Sequence, residues 1–286
     1  TLIDETRENV HGEEEPYLIF NNVGAWPVQR TADRKQDAVY IEVWPPYDRY
    51  ASIAQLIRDA RTYAKDDKST ILAAYLKPFR EGKREKALPA AKLLMGSIVS
   101  NGATHLLTGE NQTALTQGYY SDYTKFSDFE AEAIRRYYDY MIRYENLFFD
   151  PELQDVTMTH TGWDNYEYQC TSHKVSSYGE AGKIWMILRE KDYRKCIYLL
   201  NLCGQSEDYW NEGKEEPNIQ KDIKFTVQVD TPVEKICFST PDGENMDAIE
   251  LSFTERTTKT GKFIDFTVPS LNYWTTIWID TRKETI

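Results

Sequence analysis

The 286 residues carry 34 Lys and Arg against 46 Asp and Glu, a net charge of -12, with 41% hydrophobic and 28% charged residues. That balance belongs to a folded globular chain long enough for one large domain or two ordinary ones. The acidic surface repels phosphate backbones and anionic lipid, and no apolar run reaches the roughly eighteen residues of a membrane span, so nucleic acid and membrane are poor partners.

In chain order, Tyr17–Phe20 is a short apolar strand closed by Asn21, Asn22 and Gly24. Ala38–Ile41 is a second, followed by Glu42 and by Pro45-Pro46, which cannot continue a ladder. Ile53, Leu56, Ile57 and Ala60 recur at helical spacing over 52–65. Thr70–Tyr75 reads as a third strand, and Pro89–Ser100 as an amphipathic helix with its proline in the first turn. Thr104–Leu107 reads as a fourth strand, ended by Gly109-Glu110, and Phe126–Phe149 as a long helix. Apolar strands alternating with helices imply a parallel sheet covered by helices, either half of a barrel or a small doubly wound sheet. No glycine-rich phosphate loop follows any strand.

Past Asp150-Pro151 the texture changes. Apolar runs at 184–188, 196–200, 224–229, 235–238, 263–268 and 274–279 are separated by turn signals such as Pro241-Asp242-Gly243 and Thr260-Gly261. The predicted organisation is α/β plus all-β: an α/β domain over 1–152 and an antiparallel β-sandwich over 153–286.

Twenty Tyr and seven Trp fit either a carbohydrate site, where rings pack on sugar faces, or an aromatic-rich core. The four cysteines, Cys170, Cys196, Cys203 and Cys237, show no zinc-ligand spacing and leave the redox compartment and any disulfide open. Cys196 and Cys237 lie in apolar runs, as small hydrophobes do. No metal or cofactor is expected. The chain opens at Thr1 with no initiator Met or apolar leader, so the natural N-terminus, and any export signal, is expected upstream.

Ionisable and amide residues gather just past strand ends, the rim on which α/β-barrel active sites lie. Glycoside hydrolysis needs two carboxyl groups, one held protonated and one acting as nucleophile or base. Glu42, flanked by Ile41 and by Val43-Trp44, has apolar sequence neighbours that disfavour an anion. The competing reading is a structural glutamate paired with an arginine. Glu110 is the other rim carboxylate, a nucleophile or a ligand for a sugar hydroxyl. Asn22 and Asn111 suit sugar binding if they face the site and loop capping if they do not. His105, inside an apolar run, reads as a buried, satisfied histidine. Asp37 precedes the Glu42 strand and falls at the stability-bearing end. No nucleophile elbow or triad order is present.

Five collinear motifs then converge: Phe20-Asn-Asn-Val-Gly24, Val39-Tyr-Ile-Glu-Val-Trp44, Ile71-Leu-Ala-Ala-Tyr75, Gly102-Ala-Thr-His105 and Arg143-Tyr-Glu-Asn-Leu147. Together they resemble the dextranase family, glycoside hydrolase family 66, which also contains the cycloisomaltooligosaccharide glucanotransferases. Asn201-Leu and Trp210 with Pro217 resemble its C-terminal region. The resemblance implies strands 5–8 of a (β/α)8 TIM barrel and a retaining endo-hydrolase of α-1,6-glucan or isomaltooligosaccharide. It implies Glu42 as acid/base, with Asn22, Trp44, Tyr75, Glu110 and Asn111 binding substrate. The family's nucleophile aspartate has no counterpart here, since residues 1–15 resemble the helix before the fifth strand. The chain is therefore expected to be a fragment, or a half that docks with the missing N-terminal half, and to be inactive alone. A polymeric substrate implies an extracellular or periplasmic protein. The short connection over 77–102 leaves no room for the binding module of the cyclising enzymes and favours hydrolysis. The alternatives are a cyclodextran-forming transglucosylase, a non-catalytic glucan-binding protein and a barrel-derived interaction protein.

Overall fold

The computed structural model describes residues 1–10, 16–65, 68–118, 124–162 and 165–282. The chain divides into two compact units, Thr1–Ala133 with Tyr209–Gly213, and Ile134–Asp208 with Lys214–Ile286. The boundary between them lies at Ala133/Ile134, ahead of the division expected at 152/153.

The first unit opens with α1 (Leu2–Asn9), capped by Thr1, whose hydroxyl and backbone exchange bonds with Asp4. β1 (Ile19–Val23), α2 (Val28–Thr31), β2 (Ala38–Glu42), α3 (Tyr50–Ala64), β3 (Ser69–Ala73), α4 (Ala87–Ser100) and β4 (Ala103–His105) follow. The four strands run parallel in the order β1-β2-β3-β4. Among the described residues the sheet is open, with β1 and β4 at its edges, and no closed barrel forms. α3 buries Ile53, Leu56, Ile57 and Ala60 on one stripe, as their spacing predicts, and ends at Lys65 in the left-handed conformation. α4 is buried nearly all round, the mark of a helix packed on several sides.

Register sets which side chains share a face. Val23 pairs with Glu42 and Glu42 with Ala73, so Asn21, Tyr40, Glu42 and Ile71 project from one side of the sheet. Asn22, Val39, Ile41, Leu72 and His105 project from the other, and all of these are buried. The Glu42 side is only partly covered: Asn21 and Val23 are exposed, and Tyr40, Glu42 and Ile71 half-buried.

α5 (Asp128–Arg143) begins with a reciprocal cap between Ser127 and Glu130. Tyr144 leaves helical geometry, and a separate turn, α6 (Glu145–Phe148), follows where one helix was expected to continue. The Tyr144 hydroxyl donates to Met246 O at 2.6 Å, and its ring meets Trp278.

The second unit is a β-sandwich. Its strands are β5 (Gln154–Asp155), β6 (Tyr168–Cys170), β7 (Val175–Ser176), β8 (Ile184–Lys191), β9 (Arg194–Asn201), β10 (Gln220–Val229), β11 (Val233–Ser239), β12 (Ile249–Glu250), β13 (Phe253–Thr258), β14 (Gly261–Leu271) and β15 (Trp274–Thr281). One sheet has the order β13-β14-β10-β6; the other runs β12-β11-β15-β9-β8-β5, with β7 added in parallel on β8. Alternate residues of the two, among them Met186, Leu188, Ile197, Leu199, Phe225, Val227, Ile264, Phe266 and Ile277, form one apolar core.

The other face of the second sheet is aromatic. Trp274 lies 5.0 Å, ring to ring, from Tyr140, 5.2 Å from Phe148 and 5.9 Å from Tyr137. The Tyr137 hydroxyl donates to Asp242 at 2.6 Å, and Arg136 to Pro241 O. These contacts assign the second half of α5 to the sandwich unit. They also show where much of the aromatic excess goes, since Tyr137, Tyr140, Tyr198, Tyr273, Trp185 and Trp274 are all buried. The four cysteines are free thiols, and burial pushes that of Cys196 up to about 11.

Candidate active site

Glu42 ends β2 at the edge of the sheet where all four parallel strands finish. Its carboxyl accepts from three donors: Asn21 Nδ2 at 3.2 Å, Trp44 Nε1 at 3.0 Å and the Tyr75 hydroxyl at 3.2 Å. It forms no ion pair among the described residues, so the arginine-paired structural glutamate is not what the fold builds. Nor is its setting apolar. Ile41 turns to the opposite, buried face, and the groups meeting the carboxyl are an amide, an indole N–H and a phenol. Sequence neighbours on a strand point away from one another.

Tyr75 is held as a donor. Burial first, then its hydrogen bond to Tyr40 and the charge of Glu42, push its phenol well above the usual tyrosine range. Its ring lies 5.8 Å from that of Trp44. A side chain at Gly118 would meet Trp44 Cζ2 at 2.9 Å, so glycine there permits the close approach of the loop to both rings.

The other expected site residues fare differently. Asn22 is wholly buried: its amide donates to Tyr40 O at 2.7 Å, and its carbonyl accepts from the Thr31 hydroxyl at 2.7 Å. It braces β1, β2 and α2, and its neighbour Asn21 is the amide that reaches Glu42. Glu110 and Asn111 sit on an exposed 3-10 turn, Glu110–Gln112. Asn111 adopts the left-handed conformation with φ 54°, which asparagine tolerates, and neither residue bonds to Glu42. His105 is buried as expected; its Nε2 lies 3.0 Å from Ala74 O, and burial lowers its pKa to about 4. Asp37 accepts from Leu18 N–H at 2.5 Å and from Arg7, anchoring the entry to β1 rather than serving chemistry.

Two residues escaped sequence reasoning. Asn21 differs from Asn22 only in strand parity, which no local signal reveals. Trp26, 79% exposed in the turn after β1, lies at the same edge of the parallel sheet as Glu42. A bare indole beyond a strand end is the available clue.

The chain thus joins a parallel α/β unit, with a carboxyl at its strand ends, to a β-sandwich. The profile of glycosyl hydrolase family 66 matches residues 2–278, and the chain belongs to that family. Two curated relatives, both cycloisomaltooligosaccharide glucanotransferases of Niallia circulans, are 28% and 26% identical over 193 and 191 residues. Each alignment covers 66% of this chain and 19% of the relative, so the chain spans about a fifth of the relatives' length. The crystal structure of a Paenibacillus sp. cycloisomaltooligosaccharide glucanotransferase, complexed with cycloisomaltoheptaose, superposes with a TM-score of 0.84 at 15% identity. It covers 96% of this chain and 58% of that one, a likeness of fold.

Proposed function

We propose that this chain carries the general acid/base of an enzyme that cleaves α-1,6-glucosidic bonds of glucan with retention. Glu42 protonates the glycosidic oxygen as the bond breaks, then takes the proton of the incoming hydroxyl. The observation that carries this assignment is the Glu42 carboxyl at the strand ends, half-buried, oriented by three donors and, among the described residues, paired with no cation. Asn21, Trp44 and Tyr75 fix its direction, and Trp26 offers an exposed ring for a glucosyl face.

Retention needs a nucleophilic carboxylate about 5–5.5 Å from the acid. The motifs that resemble the family include no counterpart of its nucleophile aspartate, so we assign the nucleophile to a segment outside this chain. The four strands then stand as strands 5–8 of a (β/α)8 barrel, and the same segment supplies the cover for Asn21, Val23 and Ile71. By itself the chain is inactive, and a polymeric substrate places the enzyme outside the cell or in the periplasm.

The short connection from β3 to β4 favours water as acceptor, hence a hydrolase. The relatives, both cycloisomaltooligosaccharide glucanotransferases, favour a second reading, transfer to a glucosyl hydroxyl of the same chain. Glu42→Gln in the full-length enzyme tests the assignment: release of reducing ends from dextran should fall by a factor on the order of 10²–10⁴. Near-normal turnover would sink it, and so would dextran cleavage by the isolated 286-residue chain for the proposed inactivity. Linear products indicate hydrolysis and cyclic products transfer.

A further inference from the structure

Tyr209–Gly213, more than 130 residues from β3 in sequence, belongs to the first unit. It seats on the two loops that follow Glu42 and Tyr75. The nearly buried Trp210 donates its indole N–H to Tyr47 O at 2.6 Å and its backbone N–H to Asp48 O at 3.0 Å. Tyr47 N–H in turn donates to Trp44 O at 3.1 Å, so Trp210 closes the turn that begins at Trp44. The guanidinium of Arg49 stacks on Tyr209, 4.4 Å from the ring centre, and donates to its hydroxyl at 2.8 Å. On the other loop, Asn211 Oδ1 accepts from Lys77 N–H at 2.9 Å, two residues past Tyr75, and Glu212 pairs with Lys77 Nζ at 2.6 Å. A Cβ at Gly213 would stand 2.9 Å from Lys86 Cβ, so the segment lies flat on the unit.

Trp44 and Tyr75 are two of the three donors to Glu42, and each leaves its strand on a loop held by consecutive residues of this one segment. The geometry points to Trp210 and Asn211 as positioning residues for the Glu42 carboxyl, acting through the loops of Trp44 and Tyr75. Neither bonds to the Glu42 carboxyl itself. The inference rests on the proposed role of Glu42.

A misplaced general acid costs most where the leaving group needs a proton and little where it does not. The test compares dextran with an aryl α-glucoside of an acidic phenol in the full-length enzyme. Trp210→Phe keeps the ring and drops the N–H; Asn211→Ser and Asn211→Leu shorten or remove the acceptor; Asn211→Asp keeps it. Expected are a fall in kcat/KM on dextran of about tenfold or more for Trp210→Phe and Asn211→Leu, kcat/KM on the aryl glucoside, which reports bond cleavage before the base step, within about twofold, and recovery in Asn211→Asp. Equal losses on both substrates, or no loss on dextran, overturn the inference. If Asn211→Leu does not fold, Trp210→Phe and Asn211→Ser decide by the same ratio. Glu42→Gln run alongside separates the failures: if it keeps dextran turnover the role of Glu42 falls, whereas if it is dead and the segment variants are normal only the positioning inference falls.

Discussion

The indole N–H of Trp44 donates to Oε2 of Glu42 at 3.0 Å, a contact made because residues two apart on an extended chain share a face. Tyr40, Glu42 and Trp44 thus form one row, and Tyr75 joins it from the end of β3. The carboxyl is aimed by rigid aromatic donors on two separate strand ends.

Removing one of those donors should weaken catalysis without unfolding the protein. Trp44→Phe and Tyr75→Phe each keep a ring and lose a hydrogen bond to a charged group, worth about 1.5 kcal/mol, or about tenfold in kcat on α-1,6-glucan in the full-length enzyme. Urea midpoints of the two variants should stay near that of the parent. A large drop in midpoint with unchanged turnover would make both residues structural.

Adjacent asparagines should behave in opposite ways. Asn22→Ala strips partners from Tyr40 O and the Thr31 hydroxyl and should cost on the order of 1–3 kcal/mol in urea unfolding. Asn21→Ala, on an exposed position, should cost less than about 0.5 kcal/mol yet lower turnover severalfold. Similar stabilities for the two variants would contradict the strand parity.

His105 should make the first unit acid-sensitive. Its pKa in the fold is lowered to about 4 by burial, against about 6.5 in an unfolded chain. Above pH 6.5 both states hold it neutral and it adds no pH dependence. As pH falls from 6.5 towards 4 the unfolded state takes the proton first, and stability drops, by on the order of 3 kcal/mol in all. His105→Asn should flatten the urea midpoint over that window relative to the parent; parallel curves would refute the linkage.

In the sandwich, Trp274 fills the space among Tyr137, Tyr140 and Phe148. Trp274→Ala should cost about 3–5 kcal/mol through the cavity it leaves. Chemical denaturation followed by far-UV circular dichroism checks it, and a loss below about 1 kcal/mol would mean that the cluster repacks.

The most apolar strands were legible in sequence. Continuous apolar runs marked β2, β3, β8, β9 and β15, because such runs are stable only where most of their side chains are covered. β13 was not, since Phe253–Thr258 is mostly polar and exposed and becomes a strand only by pairing with β14. The collinear motifs also singled out Glu42, whose position at a strand end follows from local pattern. What surrounds it does not. Register with β2, not the order of two asparagines, turns Asn21 towards the carboxyl and Asn22 into the core. The loop after β4 carries Glu110 and Asn111 onto an exposed turn, although both follow a strand end. Trp210 and Asn211 reach the loops beyond Trp44 and Tyr75 across more than 130 residues of chain. Sequence by itself determined the most apolar elements, which follow the short-range hydrophobic period, and its collinear motifs marked Glu42 as the candidate acid. Only the tertiary structure decided which donors aim it, because hydrogen bonding at a site depends on register and on long-range contacts that no local window contains.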